Sequence, residues 1–182
     1  MVDVSKLDPA TMAQHLGKPE GEIGRALADS MAERNWSVYE AAFERLGVRS
    51  GERIFEVGFG NGKVVPRLMR LASAIAYTGI DYSQAMVAEA KASNKSQIEG
   101  GSVEFRHASV EAIPFADDSF DHALTINTIY FWPEPVRGLL KSAEFYGPVA
   151  IFSSLQGLLN KWRVSRSMNS ASTPTLNCAS CL

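Results

Sequence analysis

The residue types best able to bind a charged small ligand stand in one short stretch, where a carboxylate and three glycines alternate. Glu56 is followed by Gly58, Gly60 and Gly62. Glycines at alternate positions form a turn that can adopt positive φ and that lets a ligand approach the main chain. Asp81 comes nineteen positions after Gly62. A carboxylate at that distance, at the tip of the next strand, is typical of a group that accepts hydrogen bonds from both ribose hydroxyls. The pattern indicates a site for a nucleotide-like ligand.

Asp81 also has an interpretation that needs no ligand. Together with Ser83 it could cap the helix that follows, because short polar side chains at a helix start accept hydrogen bonds from backbone N–H groups of the first turn. The two roles are compatible, since a carboxylate has several lone pairs. The sequence leaves both roles open.

The residues around the glycines predict a strand, a turn and a helix. Residues 53–57 are mostly apolar, as in a strand at the middle of a parallel sheet, and residues 63–71 carry apolar side chains close to helical spacing. This alternation continues along the chain and predicts an α/β fold with a doubly wound sheet. Further strands are predicted at 77–81, 103–108, 120–127 and 147–154, and further helices at 84–92, after Pro133 and at 155–162.

The first 47 residues are predicted to form a helical cap. A short helix is expected over residues 6–17, and from 22 to 46 apolar residues recur every three or four positions. Asn35 marks a break, after which Ser37 and Glu40 have the spacing of a capping box. The sequence does not decide whether these helices lie over the ligand edge of the sheet or pack on one face.

The composition argues against several classes of partner. A chain of 182 residues is long enough for one well-buried domain. Its formal charge of −2 gives no bulk attraction to a phosphate backbone or an anionic lipid surface, so we predict no nucleic-acid or membrane partner. Residues 1–9 lack the apolar core of a secretory signal, and no run approaches the roughly 18 apolar residues of a membrane span. We therefore expect a cytoplasmic protein.

Cysteine chemistry is not expected. Cys178 and Cys181 have C-x-x-C spacing, but they stand in a stretch rich in Ser, Thr and Asn with no second ligand pair. We interpret them as two unpaired thiols and predict no metal site. Residues 163–182 show no periodicity, which is typical of a disordered segment.

The glycine stretch differs from a dinucleotide fingerprint, whose third glycine would replace Lys63. It closely resembles the class I S-adenosylmethionine-dependent methyltransferases, in particular the type 11-like small-molecule group that includes the quinone-biosynthesis C-methyltransferases. The resemblance implies a Rossmann-like doubly wound sheet with strand order 3-2-1-4-5, S-adenosylmethionine as the cofactor, and methyl transfer to a small-molecule acceptor by in-line displacement. It rests on residues 56–62, 79–83 with Met86 and Ala90, 113–115 and 118–121.

The resemblance also implies roles for individual residues. The backbone at Gly58 and Gly60 would lie beside the methionine and ribose portions of the cofactor, and Glu56 would face the methionine amino group. Asp81 would hold the ribose, and Tyr82 would lie against the adenine. The full set of cofactor-binding residues that it implies is Glu56, Gly58, Gly60, Asn61, Gly62, Asp81, Tyr82, Ser109, Val110 and Asn127.

One of these residues departs from the family pattern, and a further group of candidate residues has a second interpretation. Relatives usually have an Asp after the third strand, where this chain has Ser109, so adenine contacts are expected to depend on the Val110 backbone and on packing. The residues after the fourth strand correspond to those that face the methyl group and the substrate in relatives. For the aromatic residues among them, plain core packing is an equally good interpretation. The candidate substrate-lining residues are Thr128, Tyr130 and Trp132.

The chain departs from the family after about Arg137. Relatives finish with two further strands, the last one antiparallel, and here polar residues stand in their place. We therefore predict that the last two strands are missing, so that the fifth strand is an exposed edge through which a second chain could pair. The predicted domains are a helical cap at 1–47, a cofactor-binding domain at 48–160 and a disordered tail at 161–182.

The truncated ending motivates an alternative function, a methyltransferase-like protein that binds the cofactor without turnover. A nicotinamide-dependent oxidoreductase is disfavoured by the missing third glycine. No residue identifies itself as a general base, because His15, His107 and His122 are each interpreted as structural or surface residues. The catalytic residues, if a base is needed, are not given by the sequence.

Overall fold

The chain's structure, a computed structural model, describes residues 2–116 and 118–135, and it gives the backbone alone of three later strands. The strands are short and are separated by the helices and turns that the apolar pattern predicts. In chain order they are β1 (Arg53–Val57), β2 (Ala76–Asp81), β3 (Val103–His107), β4 (His122–Ile126), β5 (Val149–Phe152), β6 (Trp162–Ser165) and β7 (Thr175–Cys178).

These strands form one sheet with the order β3-β2-β1-β4-β5-β6-β7. The strands β1 to β5 run parallel to their neighbours, with β1 between β2 and β4. The predicted α/β class and the order 3-2-1-4-5 are therefore confirmed. Because all five strands point the same way, the residues that follow β1, β2, β3 and β4 meet at one edge of the sheet.

The predicted absence of the last two strands is wrong. β6 pairs antiparallel with β5, and β7 pairs antiparallel with β6, so β5 has a neighbour on each side and is not an exposed edge. Each of these two strands has only four residues, and so short a period-2 pattern does not stand out from a polar stretch. The helices predicted after Pro133 and at 155–162, and the rest of the predicted tail, lie outside the described residues apart from these strands.

In the described part of the chain, three α-helices precede β1 and three follow it. Asp8 caps the first through hydrogen bonds from Ala10 N and Thr11 N, and Gly47 ends the third with a φ of 65°. Ser83 caps the fifth by accepting from Met86 N. The helices are α1 (Pro9–Gly17), α2 (Gly21–Arg34), α3 (Trp36–Leu46), α4 (Val65–Leu68), α5 (Gln84–Ser93) and α6 (Lys95–Glu99).

The break between α2 and α3 falls where the sequence predicted it, but the predicted capping box does not form. α3 begins at Trp36, so Ser37 lies inside its first turn. Asn35 flanks the helix without a side-chain cap bond, and its Oδ1 instead accepts a hydrogen bond from Asn127 Nδ2 at 2.8 Å. A contact between distant parts of the chain has replaced the local one.

Alternation along β1 sends its side chains to two separate cores. Ile54 packs in the core beneath α3, with Phe43 and Tyr77. Phe55 packs in the core on the opposite face, where its ring centroid lies 5.1 Å from that of Phe120. Successive strand residues point to opposite faces, so both sides of the sheet are covered, as a parallel sheet requires.

Gly62, the third glycine of the turn, is required by packing against α5. A Cβ at this position would lie 2.7 Å from Ala90 Cβ and 3.1 Å from Asn94 Nδ2 on α5. Asn94 Nδ2 also donates to the Gly62 carbonyl at 3.1 Å. The glycine lets the turn lie directly on the helix.

We therefore predict that Gly62→Ala destabilises the protein more than Gly101→Ala does. Both glycines have positive φ, of 66° and 73°, so each alanine should cost about 1–2 kcal/mol for its backbone conformation. Only Gly62 has neighbours within 4 Å of an added Cβ, which adds about 1–3 kcal/mol. Urea unfolding of the two variants measures the difference, and equal losses would contradict the packing role of Gly62.

Candidate functional site

Two adjoining cavities lie at the edge where the parallel strands end. The strand cavity, of about 390 Å³, is bordered by the residues that follow β2 and β3. The helix cavity, of about 330 Å³, lies beneath α1, α2 and α3. The two cavities have several lining residues in common, so they form neighbouring parts of one site: Leu16, Pro19, Gly58, Gly60, Asn127, Thr128 and Phe131.

The glycine turn after β1 lies between the cavities. Gly58 has a φ of 81°, and a Cβ on it would lie 2.4 Å from Thr128 Cγ2, so no larger residue fits there. Gly60 has a φ of 61° and open space where its Cβ would be. The turn thus presents bare main chain to both cavities, as predicted for close approach of a ligand.

Asp81 fastens this turn to the end of β2. Its Oδ2 accepts a hydrogen bond from Gly60 N at 2.9 Å, and its Oδ1 accepts one from Ser83 N at 2.8 Å. Asp81 is half-buried beside the strand cavity, and the loss of hydration there raises its pKa to about 6, although both N–H groups act to lower it. Each oxygen retains a lone pair for a ligand hydroxyl.

The other predicted residues of the strand cavity are also in its wall. Tyr82 is 63% exposed, so its ring is free to lie against a ligand. Ser109 Oγ accepts from Glu111 N at 3.2 Å, and Val110 is buried. Trp132 lines this same cavity. These residues give the cavity wall one carboxylate, hydroxyls and apolar surface, and Glu111 adds a second carboxylate.

The predicted residues after β4 line both cavities. Asn127 has a φ of 55°, in the left-handed region that Asn tolerates better than most residues, and its amide donates to Asn35 Oδ1. Thr128 Oγ1 donates to the Val57 carbonyl at 3.3 Å and pairs with Thr125 Oγ1. Tyr130 lines the helix cavity. These contacts fix the chain where the two cavities meet.

Asn61 lines the helix cavity, whereas Glu56 and Gly62 line neither cavity. Glu56 is completely buried, and its carboxylate accepts hydrogen bonds from Tyr39 Oη at 2.6 Å and from Tyr77 Oη at 2.5 Å. Strand alternation explains this, because Glu56 lies on the same face of β1 as Ile54, beneath α3. Tyr39, rather than Glu56, reaches the cavity wall.

The buried position changes the acidity of this group. Burial raises the pKa of Glu56 to about 7, even though both tyrosine hydroxyls favour the ionised form, and the nearby Asp81 charge raises it further. Burial and the neighbouring carboxylate also raise the pKa of Tyr39 and of Tyr77 well above the usual tyrosine value. The three groups form a closed network that holds α3 to β1 and β2.

The cap helices supply the part of the site that the sequence did not assign. α2 and α3 contribute Leu27, Met31 and Tyr39 to the helix cavity, and the end of α1 contributes His15. The signal was the apolar stripe over residues 22–46, which left open whether it met the ligand edge or one face of the sheet. The helices of this stripe do both, because Tyr39 packs in the core on one face of the sheet and also lines the helix cavity at the ligand edge.

Polar contacts hold this cap over the strand ends. Asp29 Oδ1 accepts from Asn61 Nδ2 at 2.7 Å and pairs with Lys63 Nζ at 2.5 Å. Ser83 Oγ donates to the Pro19 carbonyl at 3.1 Å. The glycine turn and the β2 end are therefore each tied to the cap.

Two features are absent from the described part of the chain. No group of three or more His, Cys, Asp or Glu residues within it is arranged to hold a metal ion. Among its helices, none has both the length and the apolar character needed to cross a membrane.

Comparison with known proteins shows similarity to one type of domain. Residues 55–144 match the family described as a methyltransferase domain. The O-methyltransferase resE of Aspergillus sclerotiorum is 34% identical over 104 residues, which cover 57% of this chain and 39% of that protein. The ubiquinone/menaquinone biosynthesis C-methyltransferase UbiE of Geotalea daltonii is 34% identical over 90 residues, which cover 49% of this chain and 37% of that protein. The chain therefore spans less than half the length of either relative.

A solved structure extends the similarity to the fold. The crystal structure of the [4+2]-cyclase SpnF matches with a TM-score of 0.59 and 26% identity, covering 64% of this chain and 43% of that chain. A protein described as a cyclase thus shares this fold with proteins described as methyltransferases. The fold alone does not fix the reaction.

Replacing Glu56 should change how stability depends on pH. Because the folded protein keeps this proton up to a pKa of about 7 and the unfolded chain releases it near 4.5, the wild-type free energy of unfolding should fall as pH rises through that window. Relative to Glu56→Gln, the fall should reach up to about 3 kcal/mol between pH 5 and 7.5. Urea unfolding at several pH values measures it. Glu40→Gln, at an exposed position of α3, should behave as wild type, and parallel curves for all three proteins would contradict the assignment.

Proposed function

We infer that this chain, which carries a class I S-adenosylmethionine-dependent methyltransferase domain, transfers a methyl group from that cofactor to a small-molecule acceptor. The observation that carries the proposal is the pairing of two cavities on either side of the glycine turn. One cavity has the carboxylates of Asp81 and Glu111 in its wall, and the other has no carboxylate among its described lining residues. A two-substrate reaction needs two such compartments that meet.

The residues present fit the cofactor. Open space at Gly60 leaves room for a ligand against the main chain. Asp81 accepts a hydrogen bond from this turn, and its oxygens keep lone pairs that can accept from a ligand. Tyr82 offers an exposed ring, and Ser109 a hydroxyl, at the far side of the strand cavity. We therefore assign the nucleoside part to the strand cavity.

Bound S-adenosylmethionine supplies a methyl group on a positively charged sulfur. The task of the protein is then to align the acceptor with that methyl group and to exclude water, which can contribute several kcal/mol. Asp81 and the glycine turn hold the ribose and the chain beside it, while Asn127 and Thr128 stand where the cavities meet. The cap helices cover the acceptor. A base is needed only for an acceptor that must lose a proton.

Glu56 contributes to the proposed cofactor site indirectly, through Tyr39. Since the Tyr39 hydroxyl donates its proton to Glu56, its remaining lone pairs are available to a donor in the helix cavity. The ammonium group of the cofactor's methionine portion is such a donor. The contact that the resemblance implied for Glu56 is in this way proposed for Tyr39.

The alternative of binding without turnover has lost its main support. It was motivated by two missing strands, and β6 and β7 stand in that region. A nicotinamide cofactor remains disfavoured, because the place of its third glycine is taken by Lys63, whose ammonium pairs with Asp29. Binding and transfer should still be measured separately, since a [4+2]-cyclase shares this fold.

The proposal includes the setting of the reaction. A formal charge of −2 supports a small molecule rather than a nucleic acid as the acceptor. We propose a cytoplasmic location on the same sequence argument. Pairing of a second chain along β5 is not proposed, because β6 occupies that edge.

Asp81→Ala should bind S-adenosylmethionine at least about tenfold to a hundredfold more weakly than wild type, because two charge-assisted hydrogen bonds to the ribose would be lost. Isothermal titration calorimetry measures the affinity. Glu104→Ala, on exposed β3 surface away from both cavities, is the matched control and should bind normally. Thermal unfolding should accompany both measurements, since Asp81 also holds Gly60.

An unchanged affinity in folded Asp81→Ala would remove the cofactor assignment from the strand cavity. The transfer step is tested by incubating wild type with radiolabelled S-adenosylmethionine and a panel of phenols, amines and quinols. Cofactor binding without transfer to any of them would favour the binding-only alternative.

A further inference from the structure

The wall of the helix cavity is uncharged along its described residues. Asp, Glu, Lys and Arg are all absent from that part of the wall. Apolar side chains of α2, including Leu27 and Met31, form one side, and the rings of Tyr130 and Phe131 form another, with their centroids 4.6 Å apart. These two rings are 45% and 40% exposed, so their surfaces are open to a ligand. Such a wall favours an apolar ligand that contains a ring.

Several polar groups of this wall are already hydrogen-bonded, mostly to residues outside the wall. Asn61 Nδ2 is bound to Asp29, and Asn35 Oδ1 to Asn127. The Thr128 hydroxyl is bound to the Val57 carbonyl, and the Tyr39 hydroxyl donates to Glu56. A hydrogen-bond acceptor of a ligand must therefore find its donor mainly elsewhere in the wall.

His15 is one residue that can provide it. Its Nδ1 is buried and has no hydrogen-bond partner among the described residues. The ring itself lines the cavity, so the polar atom that it can offer to a ligand is Nε2. A buried N–H without an acceptor is rarer than a buried lone pair without a donor. With its proton on Nε2, His15 is a donor to the cavity.

We propose that the helix cavity binds a ring-containing, uncharged small molecule with a hydrogen-bond acceptor such as a carbonyl oxygen, and that His15 Nε2–H donates to that acceptor. This inference rests on the proposed function, because it names the acceptor molecule of the same site. His15 is a binding residue here and not the base of the reaction. The aromatic rings hold the apolar body of the molecule, and His15 sets its orientation.

The test uses two probes of the same shape, 2-acetylnaphthalene and 2-ethylnaphthalene, added to the full chain in the presence of saturating S-adenosylhomocysteine. The chain has three histidines, so the imidazole signal of His15 in a ¹H–¹³C NMR spectrum can be assigned with a single variant. We expect the ketone to shift this signal and to bind about tenfold more tightly than the hydrocarbon.

In His15→Phe the ring remains but the donor is lost, so the preference for the ketone should disappear while the hydrocarbon still binds. His15→Gln retains an N–H donor and should keep part of the preference. Gln14→Phe places the same new residue at the neighbouring, exposed position of α1 and should leave both affinities unchanged. Equal binding of the two probes to wild type, or an unchanged preference in His15→Phe, would overturn the proposal.

The same experiment separates this inference from the proposed function. If S-adenosylhomocysteine binds and neither naphthalene does, the assignment of the helix cavity is wrong while the cofactor site stands. If S-adenosylhomocysteine itself does not bind, the proposed function fails, and this inference fails with it.

Discussion

The hydrogen bond from Gly60 N to Asp81 Oδ2 is the contact on which the site depends. It joins the turn after β1 to the end of β2, and Gly58 N reinforces it by donating to the Ile80 carbonyl at 2.8 Å. With the turn fixed, its main chain becomes the common border of both cavities. The same carboxylate that shapes the protein is thus available to a ligand, so structure and binding share one side chain.

A second carboxylate holds the other side of the site. Glu56 joins α3 to the sheet through the hydroxyls of Tyr39 and Tyr77, in the middle of an otherwise apolar core. Burying an acid is costly unless its lone pairs are used, and here both oxygens have a donor. The floor of the helix cavity is therefore held by a polar network, which positions the Tyr39 ring more narrowly than apolar packing alone would.

Much of the fold and the strand cavity could be predicted from the sequence, because strand periodicity and the distance from Gly62 to Asp81 are local properties. The burial of Glu56 could not be predicted from the resemblance, which implies a place near the ligand, because the alternation of β1 turns this residue beneath α3. The helix cavity could not be predicted, because it arises from contacts between α1, α2 and distant strands. β6 and β7 were missed because four residues are too few to show a pattern.

α1 differs from the other cap helices in a way that bears on how such a protein can diversify. It contributes His15, Leu16 and Gly17 to the two cavities, yet none of its residues is fully buried. A segment that adds little to the core can change with little loss of stability. The selectivity of the site can thus be altered through α1 while the glycine turn and the Glu56 network stay intact, so that evolution of ligand choice is largely separated from maintenance of the fold.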